Sequence, residues 1–576
     1  MKGTTGWICK GLGREKRSIL ILSLLQMLLG GCGVVYALFL REIVDSAVDG
    51  STKGFAVFTI LFCLLVLFRI FLNALIKQYT ESTRSNVENR FKARLLDNIY
   101  RKDYSRISAL HSGDWLNRLT GDTTIIANGC TDIIPGILGM SVKFLGAFIM
   151  IIIIDIRLAL IMIPMGAVLG SVTFLLRKKL KAMHKDVQEK DGKVRIFMQE
   201  TIESLILIKS YSVYDEMNSD ASSRMKDHKD SRMRRNGMQV LAGIGYSLAM
   251  NGMFVLGVLY GGLGILNGTM TYGTLMALTQ LITQLQSPIV SLTGLIPRCF
   301  TVSASAERLM YAETLPDDAN NGGSDPSVSV DCSSRDVVSF GLRNVSFRYL
   351  PRASADKRAG VDPAGAAADA SEGIREDDGM PTVLDDYSLS IEKGEHVAFT
   401  GMSGCGKSTV LKLLMGIYSP EKGERFVRFS DGSEISGGDS MLFAYVPQGN
   451  FLMSGKIRDV VSFSDRSRSG DDDAIWDALE TACADSFVRD LPGGLDCILG
   501  ERGSGLSEGQ MQRIAIARAV FSGRPVLLLD EATGSLDVET EKAILEKIRK
   551  LEGKTVVTVT HRPAVAGACD RTVAFE

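Results

Sequence analysis

Six apolar stretches in the first half of the chain constrain its fold more than any other feature: Ser18–Leu40, Phe55–Ile76, Ile133–Ile154, Ile156–Leu176, Val240–Leu266 and Thr271–Ile296. Each is close to the ~20 residues that an α-helix needs to cross the hydrocarbon core of a bilayer. Backbone in that core must satisfy its own hydrogen bonds, so the stretches predict six spanning helices embedded in a lipid bilayer.

The polar segments between them set the orientation. The N-terminus carries Lys10, Arg14, Lys16 and Arg17, and the connections Lys77 to Asp132 and Arg177 to Met238 are long and rich in Lys and Arg. By the positive-inside rule these three segments face the cytoplasm. The outer connections are short; the first is acidic (Glu42, Asp45, Asp49) and the second is hardly more than Asp155 and Arg157. A basic cluster ahead of an apolar run can imitate a signal peptide, but this run is long enough to span and lacks a small-residue cleavage site. Few breakers interrupt the long inner segments, so the spans are expected to continue as helices into the cytoplasm. Ser112-Gly113-Asp114 and Gly121-Asp122 offer turn or cap points there for a short transverse helix. Arg69 and Lys143 lie inside apolar stretches. A charge there is costly and marks a functional candidate unless it snorkels, pairs with an acid or faces an aqueous cavity.

With 576 residues the chain exceeds one ordinary core. Its 65 basic and 66 acidic residues nearly cancel, which leaves no basic excess for phosphate neutralisation and disfavours a nucleic-acid partner. Ten scattered cysteines form no C-x-x-C pair and have no histidines at metal spacing, so neither a zinc site nor a disulfide scaffold is indicated. The expected division is a transmembrane domain over 1–315, a polar linker over 316–336 and a second domain over 337–576. The second domain alternates β-branched runs such as Val337–Phe347, Glu395–Thr400, Val526–Leu529 and Thr555–Thr560 with helical patterns, which predicts an α/β fold around a largely parallel sheet. Within it Pro351–Met380 is dominated by Ala, Asp and Gly and reads as a disordered insertion, and Ser464–Asp473 as a polar loop.

Gly401-Met402-Ser403-Gly404-Cys405-Gly406-Lys407-Ser408-Thr409 follows the Glu395–Thr400 strand and precedes a helical run, the context that a phosphate-binding loop needs. Glycines let the backbone wrap round phosphates, Lys407 neutralises the β- and γ-phosphates, and the Ser408 hydroxyl can ligate Mg2+. Asp530 and Glu531 end the apolar run Val526–Leu529. Adjacent residues of a strand point apart, so Asp530 is expected in the magnesium shell and Glu531 on the water that attacks the γ-phosphate. His561 ends another strand within reach of that phosphate; alone it would read as a structural histidine.

The order of these motifs resembles that of the ABC ATPases, on Leu506-Ser507-Glu508-Gly509-Gln510 above all, which looks like the signature found in no other P-loop class. The resemblance implies that Tyr349 stacks on adenine, that Gln448 is the Q-loop glutamine serving catalysis and magnesium, and that Ser535-Leu536-Asp537 is the D-loop. It likewise implies that His561 is the switch histidine and that Ser507, Gly509 and Gln510 contact nucleotide. Glu501-Arg502-Gly503 is similar to a loop that exporters carry just before the signature. In the membrane half, Ser112–Asp122 looks like the first coupling-helix region of exporter-type members, Ile208-Lys209-Ser210-Tyr211 like the approach to the second, and Pro288 also fits the sixth span. Three departures stand out: Glu508 replaces a glycine, Cys405 occupies a variable position of the P-loop where it is tolerable, and the chain ends at Glu576, ahead of the family's usual final helical segment.

In this family each nucleotide lies between the P-loop of one ATPase domain and the signature of another, so the resemblance implies a dimer with a second half-transporter, a homodimer being favoured. ATP and Mg2+ would close the clamp, and hydrolysis would reopen it and drive alternating access. The expected function is export of an amphipathic lipid, drug-like molecule or peptide from a multi-pass protein of the cell membrane with its ATPase domain in the cytoplasm. The alternatives are an exporter-shaped importer of a metal chelate and an ATP-gated channel or regulatory module. A first span near Ser18 leaves no room for the protease domain of some peptide exporters.

Overall fold

The computed structural model describes residues 2–110, 112–318, 336–349, 381–436, 440–449, 452–500, 503–551 and 553–575. Most of the expected linker and the whole Pro351–Met380 segment lie outside the described residues. The chain divides into two compact units. Of the described residues, one takes those of Met1–Asn98 and His111–Thr314, and the other those of Ile99–Leu110 and from Leu315 onward.

The first unit is all-α. In chain order the helices are α1 (Lys2–Leu12), α2 (Glu15–Val48), α3 (Thr52–Arg101), α4 (Tyr104–Ser108, in the second unit), α5 (Ser112–Asn117), α6 (Thr123–Ile154), α7 (Ile156–Glu203), α8 (Leu205–Tyr211), α9 (Tyr214–Leu266) and α10 (Tyr272–Thr314). Each of the six apolar stretches falls within one of the long helices α2, α3, α6, α7, α9 and α10, except that Thr271 precedes α10 by one residue. Among the described residues, four segments are long and apolar enough to cross a membrane: α2, α3, Ser112–Ile154 and α9. Leu67 and Phe71 on α3 are 63% and 64% exposed, which suits hydrocarbon and not water.

Helices in lipid gain little from hiding apolar surface, so close backbone approach takes over. Gly30 of α2 faces Gly139 of α6, and a Cβ on Gly30 would come within 2.6 Å of the Gly139 carbonyl. Around that crossing Ala37, Ala147, Ile151, Met253, Leu278, Leu281 and Ile282 close a core shared by α2, α6, α9 and α10. Polar side chains fix the outer turns. Asp45 accepts from Gly273 N at 2.9 Å and Thr271 Oγ1 at 2.9 Å. Asp155 is the lone non-helical residue between α6 and α7. Its carboxylate caps Arg157 N at 2.8 Å and takes the Tyr260 hydroxyl at 2.8 Å.

The second unit is built on two sheets. Strands β1 (Val337–Phe347), β2 (Leu384–Glu392), β3 (His396–Gly401), β4 (Lys422–Phe429), β5 (Glu434–Ser436), β6 (Phe443–Val446), β7 (Gly455–Lys456), β8 (Ile498–Leu499), β9 (Val526–Asp530), β10 (Thr555–Val559) and β11 (Arg571–Phe575) follow in order. An antiparallel sheet runs β2-β1-β4-β5, a parallel sheet β11-β3-β10-β9-β6, and β7 pairs with β8. All five residues of β9 are buried, the pattern of a central parallel strand covered on both faces. Helices α11 (Lys407–Leu414), α12 (Glu508–Phe521) and α13 (Val538–Arg549) carry the site.

Two sequence expectations shift. The second unit takes up the short helix α4, ahead of Ser112–Asp122, and the latter segment, expected to hold a short transverse helix, forms α5 and a π-turn, Arg118–Asp122, in the first unit. Asp103 starts α4 by capping Ser105 N at 2.8 Å, and Tyr104 packs 5.8 Å from Tyr418. The supposed loop Ser464–Asp473 holds a 3-10 turn, Arg466–Arg468, and the start of a helix at Asp472, because Asp465 and Asp471 each cap the following backbone.

Below the spans, Asp122 is 1% exposed and accepts from Ser305 Oγ and Arg308 Nε, both at 2.8 Å. This pair ties the start of α6 to the end of α10. Removing the carboxylate leaves a hydroxyl and a half-exposed guanidinium without their acceptor, so Asp122→Ala is expected to destabilise the first unit by about 3 kcal/mol. Thermal unfolding in detergent checks this. The expected loss is several degrees in Tm, with Ser305→Ala costing clearly less.

Candidate active site

The loop between β3 and α11 turns on three glycines with left-handed φ: Gly401 (+140°), Gly404 (+89°) and Gly406 (+98°). A Cβ on Gly401 would lie 2.3 Å from the Phe575 carbonyl, so only glycine fits where β3 meets β11. Gly406 starts α11 without a side-chain cap, which leaves the first amides of that helix to an outside acceptor. Lys407 is buried, and its Nζ donates to the Gly401 carbonyl at 2.9 Å and the Met402 carbonyl at 2.7 Å, with Cys405 Sγ at 3.5 Å. Ser403 and Gly404 are exposed at the loop apex. Uncapped amides round a buried ammonium fit a polyphosphate.

At the head of β9, Asp530 is 2% exposed and accepts from Ser408 Oγ at 2.8 Å and Tyr445 OH at 2.9 Å. Burial raises its pKa, against the two hydrogen bonds, which favour the anion. Burial likewise pushes the Tyr445 phenol up, which keeps it a donor. A hard oxygen set of Ser408 and Asp530 fits magnesium. Glu531 follows with φ +49°, a rare conformation for a side-chain-bearing residue. That reversal turns its carboxylate away from Asp530, where Oε2 accepts from Gln448 Nε2 at 2.7 Å and Oε1 lies 3.1 Å from His561 Nε2. Tyr349 stands over the start of α11, with its hydroxyl 2.7 Å from Thr409 Oγ1 and its ring edge-on to Phe347 and Tyr418.

The structure thus brings together Tyr349, Gly401, the loop 403–409, Gln448, Asp530, Glu531 and His561. Ser507, Gly509 and Gln510 are elsewhere. Ser507 caps α12 in a reciprocal pair with Gln510, at 3.3 Å and 2.9 Å. Their neighbours Leu506 and Met511 pack in the second of the unit's two cores, apart from the one that Cys405 joins. Among the described residues no hydrogen bond links them to the phosphate loop. Gly509 lies under the Ser535–Leu536 backbone, where a Cβ would meet Ser535 O at 3.2 Å. Asp537 caps α13 through Thr540 N at 2.8 Å, a bond that lowers its pKa. Glu501 and Arg502 lie outside the described residues.

Three supporting residues escaped the sequence reading. Tyr445 is a lone phenol in an apolar strand, and only the β6–β9 pairing brings it to Asp530. Gln512 exchanges hydrogen bonds with Ser535, at 3.3 Å and 3.1 Å, and so links α12 to the turn after Glu531. Arg562 braces the same turn through the Gly534 carbonyl at 2.9 Å, the Leu536 carbonyl at 3.0 Å and Glu541 at 2.6 Å. Its place next to His561 was the one available signal.

Two family models match in sequence: the ABC transporter transmembrane region over residues 19–289 and the ABC transporter ATPase region, described as "ABC transporter", over 384–534. The chain belongs to the ABC transporters. It hydrolyses ATP to drive transport, as a multi-pass membrane protein whose ATPase domain is cytoplasmic. Among its relatives is the leukotoxin translocation ATP-binding protein LktB of Pasteurella haemolytica-like sp. (strain 5943B), 25% identical over a 596-residue alignment that covers 99% of this chain and 76% of that one. LktB of Mannheimia haemolytica is 29% identical over 386 residues, covering 66% of this chain and 49% of that one. A solved structure of a bacterial Atm1-family ABC exporter with ATP bound shares the fold, with TM-score 0.74 at 20% identity over 97% of this chain and 93% of that one.

Glu531→Gln keeps the side chain's shape and removes the carboxylate that can accept a proton from water. ATP binding is expected to persist while hydrolysis falls at least about 100-fold. Equilibrium binding of a fluorescent ATP analogue beside steady-state phosphate release measures both; turnover near that of the unaltered ABC transporter would refute a general-base role.

Proposed function

We propose that this ABC transporter works as a homodimer that exports an amphipathic lipid, drug-like molecule or peptide by alternating access. The carrying observation is the split between the phosphate loop, whose Cys405 packs on one core of the ATPase unit, and the signature, whose flanking Leu506 and Met511 pack on the other. A complete nucleotide site then needs the signature of a second copy.

In that site Lys407 and the first amides of α11 hold the β- and γ-phosphates, Thr409 lines the loop, and Tyr349 offers its ring to adenine. Ser408, Asp530 and Gln448 would hold magnesium, which when bound would neutralise phosphate charge. Glu531 takes the proton of the attacking water as the new P–O bond forms and the bond to ADP breaks, and His561 Nε2 fixes the direction of that carboxylate. Gln448 leaves Glu531 for this step. The Gln512–Ser535 link then carries the state of the Glu531 turn to α12, and so to the signature that faces the other copy. Glu508, in the first turn of α12, offsets part of the helix dipole there and weakens its pull on phosphate. The relatives named for leukotoxin translocation favour a peptide within the substrate range.

Native Cys405 in the phosphate loop supplies the test. In the composite site it faces the signature of the other copy, so Ser507→Cys in a background lacking the other exposed cysteines is expected to form a disulfide-linked dimer of one chain under mild oxidation. ATP with Glu531→Gln enriches the band and Cys405→Ser abolishes it. A chain that stays monomeric on gels and in solution under all these conditions contradicts the homodimer.

A further inference from the structure

Among the described residues, two cations inside the apolar stretches have no acid paired with them. Arg69 on α3 and Lys143 on α6 are both half-buried, and among the described residues neither forms an ion pair. Lys143 Nζ donates to a neutral partner, Ser287 Oγ of α10, at 2.7 Å. The Arg69 guanidinium lies 5.2 Å from the centre of the Tyr36 ring on α2, and its Nε is buried without a hydrogen-bond partner. Both cations border α2: a Cβ on Gly30 would meet Lys143 N at 3.2 Å, and Tyr36 on the same helix carries Arg69 over its ring.

For Lys143, snorkelling and an acid partner both fail as explanations of a charge in a span, and an aqueous cavity remains. Lys143 sits mid-way along Ile133–Ile154, about 15 Å from either end at 1.5 Å per residue, farther than a lysine side chain can snorkel. Two carboxylates beyond the apolar stretches are already engaged: Asp45 with Arg41, Thr271 and Gly273, and Asp132 with Arg84 at 2.9 Å. The surroundings are polar and come from four helices. Gln284, one turn from Ser287 on α10, is 5% exposed and donates to the Gly33 carbonyl at 2.7 Å, while its Oε1 is buried without a partner. Gly33 in turn stands one turn from Tyr36.

We infer that Arg69 and Lys143, with Ser287 and Tyr36 beside them, form the anion-recognising part of the transport cavity, and that the substrate is an anionic amphiphile whose carboxylate, phosphate or sulfate seats between the two cations. This rests on the transport reading above and names its substrate class. Two like charges held close in apolar helices are stabilised when a single anion is shared between them, and an apolar body attached to it finds aliphatic helix surface on either side.

The test uses the full-length protein in phosphatidylcholine nanodiscs and a dansyl-labelled undecanoic acid beside its methyl ester, with empty discs as reference. The acid is expected to bind at least about tenfold tighter than the ester. Lys143→Gln and Arg69→Gln should each cost the acid about tenfold and the ester little, while Lys143→Arg retains the preference. Equal affinity for acid and ester, or variants that weaken both alike as a structural tether would, overturns the site. Phosphatidylglycerol in the disc that displaces the probe assigns the anion to a lipid headgroup; displacement by free acid alone assigns it to a soluble amphiphile. ATPase is followed in the same titrations. Preferential binding of the acid without any change in turnover leaves the anion site standing and sinks the transport reading, whereas equal stimulation by acid and ester does the reverse.

Discussion

Everything in the ATPase unit depends on how one buried strand ends. β9 is covered on both faces, so its last side chain, Asp530, has no solvent and must be satisfied by Ser408 and Tyr445. The next residue cannot continue the strand into the same environment. Its left-handed backbone turns the Glu531 carboxylate out to Gln448 and His561, and two neighbouring acids acquire separate partners and separate chemistry. The turn that begins at Glu531 is then braced by Arg562 and by Gln512 of α12, which ties the helix bearing the signature to the state of that carboxylate.

The membrane unit obeys a different constraint. With backbone hydrogen bonds closed within each helix, specificity comes from close approach, as at Gly30 and Gly139, and from polar side chains gathered at the helix ends. Asp45, Asp155 and Asp122 each join two elements by serving as acceptors, and each lies at a helix end or its turn. Arg69 and Lys143 break that pattern by lying inside the apolar stretches without acids, which is why they point to cargo and not to architecture.

Much of this was legible in the sequence because the signals were local. Span lengths, the glycines and lysine of the phosphate loop, and the apolar run ending in two acids all sit within twenty-odd consecutive residues and have one physical reading each. What escaped was set by pairing across distance. Tyr445 reaches Asp530 only because β6 lies beside β9, and Gln512 reaches Ser535 only because α12 packs under the turn. The placement of α4 was missed because it rests on a distant contact: Asp103 caps Ser105 N locally, but only the packing of Tyr104 on Tyr418 puts that helix in the second unit.

The central claim is that this one sequence contains a complete ATPase once two copies meet. The most direct measurement is the ATP dependence of hydrolysis by the purified chain, reconstituted alone in lipid nanodiscs. The account predicts turnover that rises cooperatively with ATP in particles holding two copies. Particles of two copies that stay inert at saturating ATP and magnesium, and become active only when a different half-transporter is added, would contradict it.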